Sequence, residues 1–214
     1  MAEATAIIDL IGLSSEIGHH ISRFIAKQIN IAIKKNLSSI AKEVRAAFID
    51  AARRHPTYAS LQNGELRAHL GLPSQTTVDD FLTQLVQLIE VEYETMSLGV
   101  GTVRDGIFKI FLPKGAFESL IKDTFVTSKR GTQLLWADWL LVQGDKIIID
   151  THRIKFTDSG RSGGAIMIKH DSGWGVPTEH AGTLDNNWLT KSWGDEKMQT
   201  QVKSIIFSHI PKRM

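Results

Sequence analysis

Carboxylate and imidazole side chains, the groups that most often bind metals or move protons, gather between residues 150 and 180. Asp150 and His152 stand two positions apart in a run with strand character, so a continuous strand would place both on one face. A turn could bring more such groups near them, namely His170, Asp171, Glu179 and His180. This set could hold a metal ion or serve a hydrolase. No HExxH, paired CxxC or EF-hand loop supports that interpretation, so we predict no metal and no cofactor.

A second candidate is the glycine-rich segment from Gly160 to Gly164. A phosphate-binding P-loop needs GxxxxGKS or GxxxxGKT between a strand and a helix, whereas this segment continues into an apolar run at 165–168. A tight β-turn is the better interpretation. Ser159 and Ser162 have no assignable base partner, and the chain has no GxSxG elbow. We therefore predict no catalytic residue, and a hydrolase that uses the His152 region is only a third hypothesis.

Composition excludes several further classes of protein. None of the 214 residues is cysteine, which removes disulfides, thiolate metal sites, CxxC redox chemistry and cysteine nucleophiles. Hydrophobic residues make up 42% of the chain, enough for a substantial core. No apolar run reaches the roughly 18 residues of a membrane span, and the start of the chain lacks the pattern of a secretory signal. We expect a folded, soluble protein that is not exported by the usual routes and has no membrane partner.

The distribution of charge is uneven, although the net charge is only +2. From Arg23 to Arg54 eight basic residues stand against two acidic ones, a local net of +6. From Asp79 to Phe125 four basic residues stand against eight acidic ones, a local net of −4. The basic stretch is either the ordinary solvated face of a helix or a surface for DNA phosphates or an acidic partner. Under the second interpretation the candidate contact residues are Lys27, Lys34, Lys35, Lys42, Arg45, Arg53 and Arg54.

The first part of the chain has helical periodicity. Apolar residues recur in steps of three and four from Ile17 to Ala51, with no proline before Pro56, while Gly12 and Gly18 favour a break between a short leading helix and the long one. A helix over 15–54 would be roughly 60 Å long, so it either breaks near 36–39 or packs against another chain. A short helix over 61–72, stopped by Gly71, and a capped helix over about 74–89 follow.

After residue 90 the periodicity changes toward strands. Alternation over 91–97 and an apolar run over 107–112 predict an antiparallel pair. We further predict a helix over 116–125, an apolar segment of undecided type over 134–142, strands over 146–157, 165–169 and 174–176, and a helix from about 185 or 195 to 209. The fold class is α+β: a long N-terminal helical region, 1–73, followed by an antiparallel β-sheet domain with a C-terminal helix, 74–214, or both as one continuous unit.

All five tryptophans fall in the last 80 residues of the chain. They are Trp136, Trp139, Trp174, Trp188 and Trp193. Tryptophan is enriched in cores and at interfaces. Two interpretations stay open: all five build the core of the sheet domain, or one or two are left for a subunit contact.

The order of short motifs between residues 158 and 193 resembles the head-tail joining, or tail-completion, proteins of tailed bacteriophages. In that family a Gly-Arg turn precedes a strand, a Glu and Gly-Thr signature follows a second strand, and an aromatic-Leu pair opens the C-terminal helix. The matching positions here are Ser159-Gly160-Arg161, Glu179, Gly182-Thr183 and Trp188-Leu189. With the C-terminal helix that the last pair opens, the resemblance covers about 55 residues, roughly a quarter of the chain.

The resemblance implies a structural virion protein rather than an enzyme. It would assemble in the host cytoplasm into a ring, commonly sixfold, at the neck or the top of the tail, around the channel through which DNA leaves. Its partners would be further copies of itself, other neck proteins, portal-side adaptors and tail proteins, with non-specific contact to packaged DNA. The alternative that the residues leave open is a non-sequence-specific DNA-binding or packaging accessory protein.

Overall fold

The long helix predicted near the N-terminus is present and unbroken. The computed structural model describes residues 4–8, 16–73, 76–98, 103–127, 131–157 and 164–210. Helix α1 runs over Glu16–Arg54 without the break considered near 36–39. The polar side chains at that place are satisfied inside the helix: Asn36 donates to the Ala32 carbonyl at 2.9 Å, and Ser39 donates to Glu43 at 3.2 Å. At 39 residues the helix is about 58 Å long.

The segment after α1 forms three more helices, α2 over Pro56–Asn63, α3 over Glu65–Leu70 and α4 over Thr76–Gln87. The single helix predicted over 61–72 is therefore wrong, because the chain is interrupted at Gly64 in an extended conformation. A Cβ on Gly64 would lie 2.8 Å from the Ser60 Cα, which explains why glycine occupies the junction. The predicted stop at Gly71 is confirmed, since Gly71 is left-handed with φ 64°.

The main sheet has three antiparallel strands in the order β1-β5-β2. They are β1, Ala4–Ile8; β2, Glu90–Glu94; and β5, Gly106–Phe111. The predicted pairing of the segments near 91 and 107 is confirmed by the register, in which Val91 faces Ile110 and Tyr93 faces Phe108. The expected short leading helix is wrong where the chain is described, because residues 4–8 pair with β5 instead. This choice depends on a partner about a hundred positions away, so local periodicity gave no sign of it.

The remaining elements are short. The described chain adds β3, Ser97–Leu98; β4, Val103–Arg104; α5, Lys114–Asp123; β6, Val126–Thr127; β7, Gln133–Leu134; α6, Trp136–Leu141; β8, Ile147–Ile149; β9, His152–Phe156; β10, Ala165–Lys169; β11, Trp174–Gly175; α7, Trp188–Gly194; and α8, Glu196–Ser208. Four two-stranded ladders result, β3 with β4, β6 with β7, β9 with β10 and β8 with β11. The undecided segment over 134–142 is mostly helix, and the C-terminal helix predicted from 185 or 195 is two helices joined at Asp195.

The single strand predicted over 146–157 is wrong. It is divided into β8 and β9 by a turn at Asp150 and Thr151, and Thr151 has the left-handed φ of 60°. The strict alternation of faces expected along this segment is therefore lost at the turn, which changes the placement of Asp150 relative to His152.

One hydrophobic core joins both predicted regions. It contains Ile33, Ile40 and Val44 of α1 together with Leu140, Trp188 and Val202 from the second half of the chain. Helix α1 packs against α4, α7, α8 and β2, so the core runs across residue 73. The α+β fold class, with the long N-terminal helix, antiparallel strands and C-terminal helix, is confirmed. Within the described residues, no helix combines the length and apolar character needed to cross a bilayer.

The tryptophans belong mainly to the interior. Trp136, Trp174, Trp188 and Trp193 are buried, and Trp139 is partly buried against the core. Trp193 lies against Phe48 of α1 with ring centroids 5.4 Å apart, and Trp136 meets Phe81 of α4 edge to face at 5.4 Å. These contacts favour the interpretation in which the tryptophans build the core.

Candidate functional site

The carboxylates and histidines singled out between 150 and 180 do not converge. His152 Nδ1 lies 3.1 Å from the Asp150 carbonyl, His170 Nδ1 lies 2.9 Å from Ser172 Oγ, and His180 Nδ1 lies 3.1 Å from Thr57 Oγ1. The turn at residues 150 and 151 removes the shared face expected for the Asp150 and His152 side chains. Among the residues described by the structure, no group of three or more His, Asp or Glu side chains is arranged to hold a metal ion.

Two other histidines, His55 and His69, form hydrogen bonds with the backbone. His69 Nε2 lies 2.6 Å from the Gly175 carbonyl, and its ring lies 5.7 Å from that of Trp174. Burial lowers the pKa of His69, so the neutral ring donates its N–H to the carbonyl. His55 accepts a hydrogen bond from the Thr57 amide at the start of α2, and burial, followed by the charge of Lys191, lowers its pKa. The His69 ring therefore ties α3 to β11, while the His55 ring caps α2.

The face of α1 that points away from the core carries both lysines and large apolar side chains. Its exposed members recur in helical steps: Phe24, Lys27, Ile31, Lys35, Ser38 and Lys42. We call this set the outward face. Phe24 is 55% exposed and Ile31 is 51% exposed. This part of the helix therefore exposes apolar surface of the kind that marks protein interaction sites. The three lysines form no ion pair with any residue that the structure describes.

The three arginines among the basic candidates contact other parts of their own chain. Arg45 donates to the Ile89 carbonyl at 3.2 and 2.8 Å, from Nε and Nη2. Arg53 donates to Asp79 at 2.8 Å, and Arg54 approaches Asp195 at 3.9 Å. These three arginines fasten α1 to its own chain. Lys34 stands beside the outward face, on the side toward β2, and is exposed.

The acidic stretch contributes a compact row on the sheet. In β2 every second side chain, Glu90, Glu92 and Glu94, is exposed, while Val91 and Tyr93 pack toward α1. The register places Lys109 of β5 opposite Glu92 and on the same side of the sheet, where it pairs with Glu94. Ile107 and Phe111 of β5 share this side and are half-buried. We call Glu90, Glu92, Glu94, Ile107, Lys109 and Phe111 the acidic face.

An open groove of about 530 Å³ separates α1 from β2. Lys34, Leu37, Ser38, Ala41 and Arg45 line it on the helix, and Glu90, Val91 and Glu92 line it on the strand. Strand β2 is also the last strand of its sheet, so its second edge has no strand partner among the described residues. Lys34 and Arg45 of α1 thus lie across this groove from Glu90 and Glu92 of β2.

The positions that carry the resemblance have structural roles where they are described. Gly160 and Arg161 lie outside the described residues. Glu179 is exposed. Gly182 is buried where its backbone lies against residues 140–144: its amide donates to the Leu140 carbonyl at 3.0 Å, and its carbonyl accepts from the Gly144 amide at 2.9 Å. Thr183 pairs with Asn186 in an isolated bridge. Trp188 and Leu189 are buried and do open a helix, α7.

Asn187 is the residue of this region that the sequence interpretation missed. It is 2% exposed, caps α7 by accepting from the amides of Leu189 and Thr190 at 3.0 Å each, and donates to the Thr183 carbonyl at 2.9 Å. The Thr190 hydroxyl in turn accepts a hydrogen bond from the Asn187 backbone amide at 2.9 Å, which completes a capping box. The signal was available, since an asparagine directly before an apolar pair, with threonine three positions on, marks a helix start.

Comparisons of the chain with protein families, with curated proteins and with solved structures find no match.

Proposed function

We propose that this chain is a structural subunit of a tailed-phage neck, a tail-completion or head-tail connector protein that forms a ring around the DNA channel. The proposal has two supports. The place in the neck is supported by the order of short motifs from residue 159 to residue 189. The assembling role is supported by one structural observation, the outward face, where Phe24 and Ile31 are exposed among lysines.

Exposed apolar area on that face favours a protein partner over nucleic acid. Phosphate contacts are made by charged and hydrogen-bonding groups, and their strength comes from released counterions. Phenylalanine and isoleucine add little to such a contact, because a helix that binds along the phosphate backbone of DNA does not reach the stacked bases. They add much to a contact with another protein, where burial of apolar area stabilises the complex by about 25 cal/mol per Å² before the costs of association.

In this role the protein needs no catalysis. Copies related by a rotation that closes on itself form a ring, and a head-to-tail contact uses two different surfaces of each copy. The chain has two such surfaces, of opposite sign. The ring, sixfold if it follows the family that it resembles, would form in the host cytoplasm and remain in the finished virion between head and tail.

The test is a phage in which the gene for this chain is interrupted. We expect heads and tails that are each complete but separate, and we expect the intact phage to contain the chain at the neck by immunolabelling in electron micrographs. Absence of the chain from purified particles, or normal joined particles without it, contradicts the proposal.

A second candidate, a DNA-binding or packaging accessory protein, is favoured by the exposed lysines on α1. Replacing Lys34, Lys35 and Lys42 with Glu separates the two functions. Under the ring proposal the wild type makes only weak, non-specific contacts with DNA at physiological salt. Under the alternative it binds DNA with an affinity that falls steeply with salt, and the triple variant loses that binding.

A further inference from the structure

The outward face of α1 and the acidic face of the sheet are complementary in charge. The outward face has three lysines, Lys27, Lys35 and Lys42, for a charge of +3. The acidic face has three glutamates and Lys109, for a net charge of −2. The whole chain has a net charge of only +2, so copies of it repel one another weakly while their two faces attract.

The spacing of the charged groups also agrees. Lys27 and Lys35 are eight helical residues apart, which is about 12 Å at 1.5 Å per residue. Glu90 and Glu94 are four strand residues apart, which is about 13.5 Å at 3.4 Å per residue. A helix laid along β2 can therefore place a lysine near each end of the glutamate row.

Apolar side chains stand between the charges on both surfaces. Ile31 lies between Lys27 and Lys35 on the helix, and Phe24 lies one turn before Lys27. On the sheet, half-buried Ile107 and Phe111 of β5 flank the glutamate row. An antiparallel sheet commonly packs one face against the core and leaves the other in solvent, so the second face of this sheet is open to a further layer.

We propose that the outward face of α1 of one copy docks on the acidic face of the next copy, with the helix lying along β2. Resting on the ring-forming function proposed above, this assigns the contact between neighbours. Each copy presents its own α1 on one side of the sheet and receives another on the opposite side. The contact is head-to-tail, so it repeats from copy to copy until the rotation closes.

The test exchanges the charges of the two faces. One variant carries Lys27→Glu and Lys35→Glu, a second carries Glu90→Lys and Glu92→Lys, and a third carries all four changes. Sedimentation velocity measures the assembly of each, and circular dichroism verifies that each is folded. Lys197→Glu with Lys203→Glu is the matched control, since it reverses two exposed lysines on α8.

We expect the wild type and the control to assemble, and each two-residue variant alone to sediment as a monomer. Mixing the two variants in equal amounts restores assembly, because every contact then joins opposite charges, and the four-residue variant assembles by itself. A monomeric wild type overturns the proposed contact, as do two-residue variants that assemble as the wild type does. So does a mixture that stays monomeric.

The outcome is separate from that of the phage experiment. If the variants assemble normally while the protein is found in the neck, the contact is wrong and the proposed function stands. If charge exchange behaves as expected while the chain is missing from virions, the contact is right and the neck assignment fails.

Discussion

The side chain of Asn30 on α1 brackets the backbone of Met96, accepting from its amide and donating to its carbonyl at 3.0 Å each. The same Asn30 oxygen accepts from the Tyr93 hydroxyl at 2.7 Å. Fifteen residues later in α1, Arg45 donates to the carbonyl of Ile89, just before β2. The helix is thus fixed to both ends of β2, and this fixes which face of α1 points outward.

Replacing Asn30 with Ala should destabilise the protein by about 2–3 kcal/mol, because the Met96 backbone groups and the Tyr93 hydroxyl lose partners in a partly buried place. Denaturant unfolding monitored by circular dichroism gives the free energy. Asn36→Ala is the control: Asn36 bonds only within its own helix turn, and alanine favours helix, so that change should be neutral or slightly stabilising. Equal effects of the two changes would contradict the bracketing role of Asn30.

Asp79 accepts hydrogen bonds from Arg53 and Tyr58 at 2.8 Å each and from Gln62 at 3.2 Å, which joins α1, α2 and α4. Partial burial raises the pKa of Asp79, but these hydrogen bonds outweigh burial and lower the pKa below its ordinary value. Asp79→Asn should cost about 1 kcal/mol at neutral pH, a modest figure because the pair is partly exposed to solvent.

The effect of Asp79→Asn should depend on pH in one direction. Since the folded-state pKa is lowered, the stabilisation is complete above the ordinary carboxyl pKa and is lost as the pH falls through the folded-state value. The two unfolding curves should therefore converge in acid. Asp80→Asn, at an exposed neighbouring position, is the matched control and should change stability little at neutral pH. A gap that stays constant down to acid pH would exclude the ionised Asp79 as its source.

Gly182 and Gly115 should respond to alanine in opposite ways. A Cβ on Gly182 would lie 2.5 Å from the Asn187 Cβ and 3.0 Å from the Leu140 carbonyl oxygen, so Gly182→Ala should destabilise by about 1–3 kcal/mol. A Cβ on Gly115, in helix α5, meets nothing within 4 Å, so Gly115→Ala should stabilise by up to about 1 kcal/mol. Thermal unfolding of the two variants measures both. A neutral effect of Gly182→Ala would mean that the backbone at Gly182 is not closely packed against Asn187.

The stability of the whole protein should fall as the pH is lowered through the ordinary range of histidine. Burial lowers the pKa of His69, and the hydrogen bond to Gly175 and the charges of Glu179 and Glu65 only partly oppose this. The unfolded chain therefore takes up the proton first. Stability that is present above the ordinary histidine pKa is lost as the pH falls from there toward the lower pKa of the folded state.

His69→Gln tests this origin, because an amide can still donate to the Gly175 carbonyl but does not titrate. Unfolding measured between neutral and mildly acidic pH should show a shallower pH dependence for His69→Gln than for the wild type. His170→Gln, at an exposed site, is the matched control. His55, whose pKa is also lowered, retains its own share of the slope in both variants.

The helices were largely predictable and the candidate interface only in part. The apolar period of α1, the stop at Gly71 and the start of α4 are local signals, so they could be located without a structure. The seven basic residues were grouped by sequence, yet Arg45, Arg53 and Arg54 contact their own chain while the lysines remain exposed. Periodicity shows which side of a helix is polar, but it does not show which polar groups have partners within the chain.

The sequence by itself determined the α+β class, the long first helix, the antiparallel pairing of β2 with β5 and the segregation of charge, because each depends on residues close together in the chain. Only the tertiary structure decided that residues 4–8 form a strand and that the segment 146–157 divides at Thr151. Those features depend on partners further along the chain: residues 4–8 pair with residues 106–110, and Ile147 and Ile149 pair with Gly175 and Trp174. A local sequence pattern does not specify which distant residues will form contacts with a segment. Those contacts are set by how the elements pack in the core.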